Sequence, residues 1–202
     1  MFYWFYFTIL CLINLTQTAE SRDRFRPGTR HKVFSFASYY GDHMVLQRGP
    51  AQADIWGYIT TDNQTVQLQF NGKNYSTYSH PGPIDGVFVW KVKLEATVNP
   101  GPYVITATSN GETISLRDVL FGDVWICSGQ SNMAFTLSML KNASAELKIT
   151  SNYSHVRVFT AAVESSTKPL YDLKSISVPW SPSSPSNNYY NSDIINIEPT
   201  VI

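Results

Sequence analysis

The sequence predicts an antiparallel β-sandwich-like domain at the N-terminal side, followed by the opening strand, turn and helix of an α/β layer. Three observations carry this expectation. Short apolar runs separated by turn residues recur from Val33 to Leu116. After Val119 they give way to one compact apolar run, a polar turn and a helically spaced series. Charged residues are only 15% of the 202 while aromatic residues reach 14%, a balance that suits a β-rich secreted chain better than a solvated helical bundle.

The strands expected in the first region, residues 32–118, are Val33–Ala37, Met44–Gln47, Asp54–Tyr58, Val66–Phe70, Val87–Leu94, Tyr103–Thr108 and Thr113–Leu116. Val66, Leu68 and Phe70 alternate with Gln67 and Gln69, the period-two pattern of a strand with one face buried. Asn71-Gly72, Asn99-Pro100-Gly101-Pro102 and Asn110-Gly111 punctuate the runs as turns do, at the spacing of a sandwich.

Residues 119–180 read differently. Val124–Cys127 has the look of a short buried strand, and Ser128-Gly129-Gln130-Ser131-Asn132 of a tight polar turn. Met133, Leu137, Leu140 and Leu147 then fall near one helical face. Val156–Phe159 is expected as the next, parallel strand, which together would begin an α/β unit. From Val178 to Ser192 the chain is rich in Pro, Ser and Asn and reads as a loop, so residues 181–202 are expected to form an irregular tail.

Met1–Leu15 is an apolar run too short to span a bilayer, and Ala19 is a small residue suited to cleavage. Residues 1–19 therefore read as a secretory signal peptide, with a signal anchor as the competing reading. No stable membrane anchor is expected. The sequons at Asn63, Asn74, Asn142 and Asn152 agree with a secretory route, to the lysosome or the outside of the cell. Of two cysteines, Cys11 falls within the signal and Cys127 stands alone, leaving no intrachain disulfide. Lys+Arg 15 balance Asp+Glu 15, so no basic face is offered to nucleic acid.

The sharpest chemical feature is Ser131 in Gly129-Gln-Ser-Asn-Met133, placed where a strand's C-terminal end meets a helix N-terminus. Free backbone N–H groups there favour negative charge on a serine oxygen or on an acyl tetrahedral intermediate. A purely structural role, with Ser131 or Ser128 capping the helix, fits the same spacing. Met133 in place of a second glycine departs from the Gly-x-Ser-x-Gly elbow of α/β-hydrolases.

Leu116-Arg-Asp-Val-Leu-Phe-Gly-Asp-Val-Trp-Ile-Cys-Ser-Gly-Gln-Ser-Asn-Met133 resembles the nucleophile segment of sialate O-acetylesterases, members of the SGNH hydrolase superfamily. Phe34-Ser-Phe-Ala-Ser-Tyr-Tyr-Gly-Asp-His-Met-Val-Leu-Gln47 and Ala53-Asp-Ile-Trp-Gly57 resemble the same family's β domain. The likeness runs from about Val33 to Trp180. It implies a flavodoxin-like SGNH hydrolase domain and hydrolysis of acetyl esters on sialic acid, chiefly 9-O-acetyl, through a serine acetyl-enzyme. Neither metal nor cofactor is implied, and the implied partner is an O-acetylated sialic acid or sialoglycan. By position Ser131 would be the nucleophile and would lend its N–H to the oxyanion hole.

The sequence departs from the family at the other catalytic blocks. No glycine follows Gly129, and no Asp-x-x-His occurs. The general base and orienting Asp are therefore expected to be missing, and a serine without a base is a weak nucleophile. His155, at the start of the expected parallel strand, would lie on the order of 15 Å from Ser131 at about 3.3 Å per strand residue. His31, His43 and His80 lack metal-site spacing, and Asp42-His43 reads as a structural turn. Trp56 and Trp90 read either as core or as sugar-stacking surfaces. Two functional readings follow. One is a sialate O-acetylesterase-like polypeptide, truncated after its nucleophile block and inactive alone. The other is a non-catalytic, carbohydrate-contacting β module with a poorly folded extension.

Overall fold

The computed structural model describes residues 34–84, 86–129 and 135–188. The expected signal peptide, His31, Ser131, Met133 and the chain beyond residue 188 lie outside the described residues. In chain order the elements are β1 (Phe34–Phe36), β2 (Val45–Gln47), β3 (Asp54–Ile59), β4 (Thr65–Phe70), β5 (Lys73–Tyr78), β6 (His80–Pro81), β7 (Phe88–Lys93), β8 (Tyr103–Ser109), β9 (Glu112–Gly122), α1 (Ala143–Ile149), β10 (Arg157–Ala161), β11 (Ile176–Pro182) and α2 (Pro185–Asn188).

Two sheets face one another across a shared core. One has the order β1-β3-β7-β6 and the other β2-β9-β8-β4-β5. Alternation sets which face each strand buries: Val66, Leu68 and Phe70 point inward from β4, opposite Ile55, Trp90 and Val92 of the other sheet, all in one buried cluster. Trp90 is fully buried and packs against Phe34 and Phe36 at ring-centroid distances of 5.7 and 5.5 Å. It is thus core, one of the two readings its sequence position allowed. Phe70, Tyr103 and Phe121 form a second aromatic knot, with centroids 5.2 to 5.6 Å apart.

The Asn-Gly turns form as the sequence predicts. Asn71 and Gly72 have φ of 49° and 73°, Asn110 and Gly111 of 49° and 82°, the doubly left-handed pair that a two-residue hairpin needs and that Asn-Gly tolerates. Each joins neighbouring strands, β4 to β5 and β8 to β9.

Four features differ from expectation. The sandwich is mixed rather than wholly antiparallel, because β2 pairs parallel to β9 through Val45↔Leu120 and Leu46↔Phe121. Strand β5, Lys-Asn-Tyr-Ser-Thr-Tyr, carries no apolar alternation because it sits at the sheet's edge with little to bury. Strand β9 runs unbroken through Gly122 rather than ending at Leu116. The short β6 continues the first sheet beside β7.

The second region departs further. Val124–Cys127 is irregular, not a strand; a strand needs a neighbour to satisfy its backbone groups, and none lies beside it among the described residues. Strand β10 pairs antiparallel with β11, through Arg157↔Pro182 and Thr160↔Val178, which corrects the expected parallel strand. The Ser/Pro-rich stretch from Val178, expected as a loop, supplies β11, and α2 follows within the expected tail. Trp180 explains why: it stacks on Phe159 at 5.1 Å, donates its indole N–H to the Tyr39 carbonyl at 2.9 Å, and both rings join the sandwich core. The helical series is also shorter than expected. Leu137 lies in a 3-10 turn, Leu140 is exposed after it, and of Leu137, Leu140 and Leu147 only Leu147 is buried, on α1.

Candidate functional site

Strand β9 leads directly to the segment that carries Ser131. Gln130–Ala134 lie outside the described residues, and the structure describes the flanks of that segment. On the near side, the Arg48 backbone N–H donates to the Gly122 carbonyl at 3.1 Å, and the guanidinium grips Asp123 through Nε to Oδ1 and Nη2 to Oδ2, both 2.9 Å. A planar two-point fork of this kind fixes orientation as well as distance. The segment therefore leaves the sandwich from a clamped point. On the far side Thr136 is buried, its hydroxyl 2.6 Å from that of Ser138, and begins the 3-10 turn Leu137–Met139.

From Val124 to Gly129 the chain lies largely on the surface. Trp125 is 62% and Ile126 83% exposed, and Ser128 and Gly129 are exposed too. Large apolar side chains seldom remain so open unless something covers them. Cys127 is a free, half-buried thiol.

A second cluster sits on the same strand. Asp118 lies within β9 with φ of 52°, and one carboxylate oxygen receives both the His43 imidazole at 2.7 Å and Arg157 Nη2 at 2.9 Å. Arg157 is only 4% exposed; its other terminal nitrogen donates to the Ser154 carbonyl. Burial pulls the guanidinium pKa down and the neighbouring Asp118 pulls it back up, and a guanidinium stays charged throughout the physiological range. The cluster ties the Asp42-His43 turn, β9 and β10 together. The turn is fixed by backbone as well: His43 N–H donates to the Arg117 carbonyl at 2.9 Å, and Asp42 accepts from Arg117 N–H at 2.7 Å. Sequence reasoning had Asp42-His43 as a turn but missed its partners, which stand 74 and 75 residues away and share no local pattern.

The remaining candidates disperse. His155 is exposed just ahead of β10, and with β10 antiparallel to β11 the argument that set it at the far end of a parallel sheet no longer applies. His80 is exposed at β6. Among the described residues no three His, Cys, Asp or Glu side chains converge as metal ligands do. Asn63, Asn74, Asn142 and Asn152 are all exposed. Trp56 is half-buried on the outer face of its sheet, where it takes no part in the sandwich core. No helix among the described residues is long and apolar enough to cross a membrane.

No protein-family model matches the chain. It is 38% identical to the sialate O-acetylesterase of Rattus norvegicus and 37% to that of Mus musculus, each over 73% of this chain and 28% of the relative. The Homo sapiens sialate O-acetylesterase is 36% identical over 73% of this chain and 29% of its own length. The chain thus spans a little over a quarter of the length of these relatives. A continuous stretch of nearly three quarters of the chain cannot avoid its middle, so the likeness takes in Ser131. The crystal structure of a carbohydrate acetylesterase from Xanthomonas citri superposes with a TM-score of 0.68 at 28% identity, covering 78% of this chain and 34% of that one. With sequence and fold pointing the same way, the chain belongs to the sialate O-acetylesterase family.

Proposed function

We propose that this chain carries the serine nucleophile of an acetylesterase acting on O-acetylated sialic acids or the glycans that bear them. The observation that supports this is the family likeness across the Ser131 segment. In that reading residues 32–118 are a supporting β-sandwich-like domain and residues 119–180 the first part of a flavodoxin-like SGNH hydrolase domain. Residues 1–19 are a signal peptide that sends the chain through the secretory pathway, to the lysosome or out of the cell.

The chemistry follows from the ester. The Ser131 oxygen bonds to the acetyl carbonyl carbon, its proton passes to a base, and the carbonyl oxygen becomes an oxyanion that backbone N–H groups stabilise. The bond to the sugar oxygen then breaks, that oxygen takes the proton, and water releases acetate from the serine. The clamp of Arg48 on Asp123 holds one end of the Ser131 segment against the sandwich. The base is the missing part: these 202 residues contain no Asp-x-x-His, and His155 is exposed ahead of β10. The chain by itself is therefore catalytically idle.

Two measurements test this. Incubated with an aryl acetate, the chain and its Ser131→Ala variant release product at the same background rate; a Ser131-dependent burst would show that a base is present after all. Grafted in place of the matching stretch of the rat enzyme, residues 34–180 support hydrolysis of 9-O-acetylated sialic acid, and Ser131→Ala abolishes it. A graft that folds but stays inactive with Ser131 in place sinks the assignment.

A further inference from the structure

Strand alternation places Asp54, Trp56 and Tyr58 on the outer face of the β1-β3-β7-β6 sheet, away from the sandwich core. Aromatic side chains on an outward face would ordinarily lie open to water. Here the connector between β10 and β11 crosses them and forms an open pocket of about 300 Å³, lined in part by Tyr39, Glu164, Leu170, Tyr171, Asp172 and Lys174.

The cavity is built by contacts that fix its walls. Asp172 latches the connector to the sheet, accepting from the Ser38 backbone N–H at 2.8 Å, the Ser38 hydroxyl at 2.6 Å and the Tyr58 hydroxyl at 3.0 Å, and from Leu173 N–H at 2.8 Å. Behind the wall, Trp56 meets Tyr171, Tyr58 and Tyr39 edge to face, at centroid distances of 4.9, 5.3 and 6.1 Å. Its indole N–H donates to the Tyr39 hydroxyl at 2.6 Å. Tyr171 is held from behind yet 49% exposed. On the rim, Lys174 lies 3.6 Å from Glu164, whose carboxylate also receives the Ser175 hydroxyl.

We propose that this cavity is a non-catalytic binding site for a neutral pyranose of a glycan chain. Its volume suits a small ligand rather than a peptide. A pyranose offers an apolar C–H face that matches the open side of Tyr171, and hydroxyls that both donate and accept, matching a rim with one acceptor and one donor of opposite charge. Asp172 is saturated by its four donors, so recognition falls to Glu164 and Lys174. Asp172 and Glu164 against Lys174 leave the lining one negative charge in excess, which selects against sugars bearing a carboxylate. The site uses no residue of the Ser131 segment. It gives a use to the open face of Tyr171, which neither the core nor the esterase chemistry employs.

The test is saturation-transfer NMR on the 202-residue protein with galactose, glucose, mannose and lactose, and with N-acetylneuraminic acid. At least one neutral sugar is expected to bind saturably, at least about tenfold more tightly than N-acetylneuraminic acid. Tyr171→Ala should weaken that binding about tenfold or more at a temperature where the variant is folded, with the thermal midpoint lowered by no more than a few degrees through loss of the Trp56 contact. Glu164→Gln, on the exposed rim, should narrow the preference against the anionic sugar by about threefold or more. Absence of saturable binding by every neutral sugar, an equal or stronger response to N-acetylneuraminic acid, or binding indifferent to both substitutions overturns the proposal. These outcomes are independent of the grafting experiment, which reads Ser131 alone.

Discussion

Arg48 and Asp123, 75 residues apart, meet as a two-point fork at the place where β9 releases the chain toward Ser131. Both side chains are roughly a third exposed, so the pair is worth about 1 kcal/mol rather than the larger value of a dry ion pair. Its larger effect is local. Arg48→Lys, which keeps the charge but loses the fork, should speed amide hydrogen exchange over Asp123–Gly129 at least about tenfold while shifting global stability by about 1 kcal/mol or less. Exchange mass spectrometry reads both.

Gly57 should tolerate no side chain. A Cβ placed on it would lie 2.0 Å from the Ser35 carbonyl oxygen and 2.8 Å from the Phe36 Cα, both backbone atoms of the adjoining β1. Since β1 cannot yield by rotating a side chain, Gly57→Ala is expected to cost about 3 kcal/mol, measured from urea midpoints.

The Asp118–Arg157 pair predicts an order of damage. Arg157 is the buried member and Asp118 the partly exposed one. Asp118→Asn, chosen because asparagine accepts the left-handed backbone there, strands a buried guanidinium and should cost about 3 kcal/mol or more. Arg157→Met removes the buried charge and leaves Asp118 with His43 and solvent, so it should cost less. Chemical denaturation of the two variants side by side gives the order.

Alkaline pH should unfold the protein through its tyrosines. Burial, aided by the neighbouring Tyr39 hydroxyl, pushes the Tyr40 pKa well up, and burial with the nearby Asp172 carboxylate does the same for Tyr58. In the unfolded chain both would ionise near pH 10. Their contribution is thus fully present below about pH 10 and is lost as pH rises above it, because only the unfolded state then releases the protons. The slope should approach about 1.4 kcal/mol per pH unit for each tyrosine. Tyr58→Phe should reduce it, as followed by urea denaturation between about pH 9 and 11.

The open apolar segment predicts self-association. Trp125→Ser together with Ile126→Ser should lower light scattering at high protein concentration and leave the thermal midpoint within about 2 °C, because neither side chain is packed. A drop of several degrees would mean that these side chains are packed after all.

How much was legible can be followed residue by residue. The Asn71-Gly72 and Asn110-Gly111 hairpins were readable because two adjacent left-handed residues are a local demand that few dipeptides meet. Strand β4 was readable because Val66, Leu68 and Phe70 announce a buried face. Strand β5 was not, since an edge strand with polar residues on both faces carries no such mark. Strand β11 was hidden by its prolines and serines: Ile176, Val178 and Trp180 do alternate with exposed Ser177 and Pro179, but the Pro-Ser-Asn composition around them reads as loop. The Asp118 cluster was illegible because charge pairing across 39 and 75 residues depends on where two turns come to rest.

What the residues determined alone was the sandwich's strands other than β5 and β6, the faces they bury, and the candidacy of Ser131, because period-two alternation, turn chemistry and a short motif are properties of neighbours in the chain. Only the tertiary structure decided that β2 runs parallel to β9, that β10 turns back against β11, that Trp125 and Ile126 stay uncovered, and that Trp56, Tyr58, Tyr39 and Tyr171 gather behind one cavity wall. Partner choice is a competition among distant segments for the same hydrogen bonds and the same buried area, and its outcome depends on every strand present.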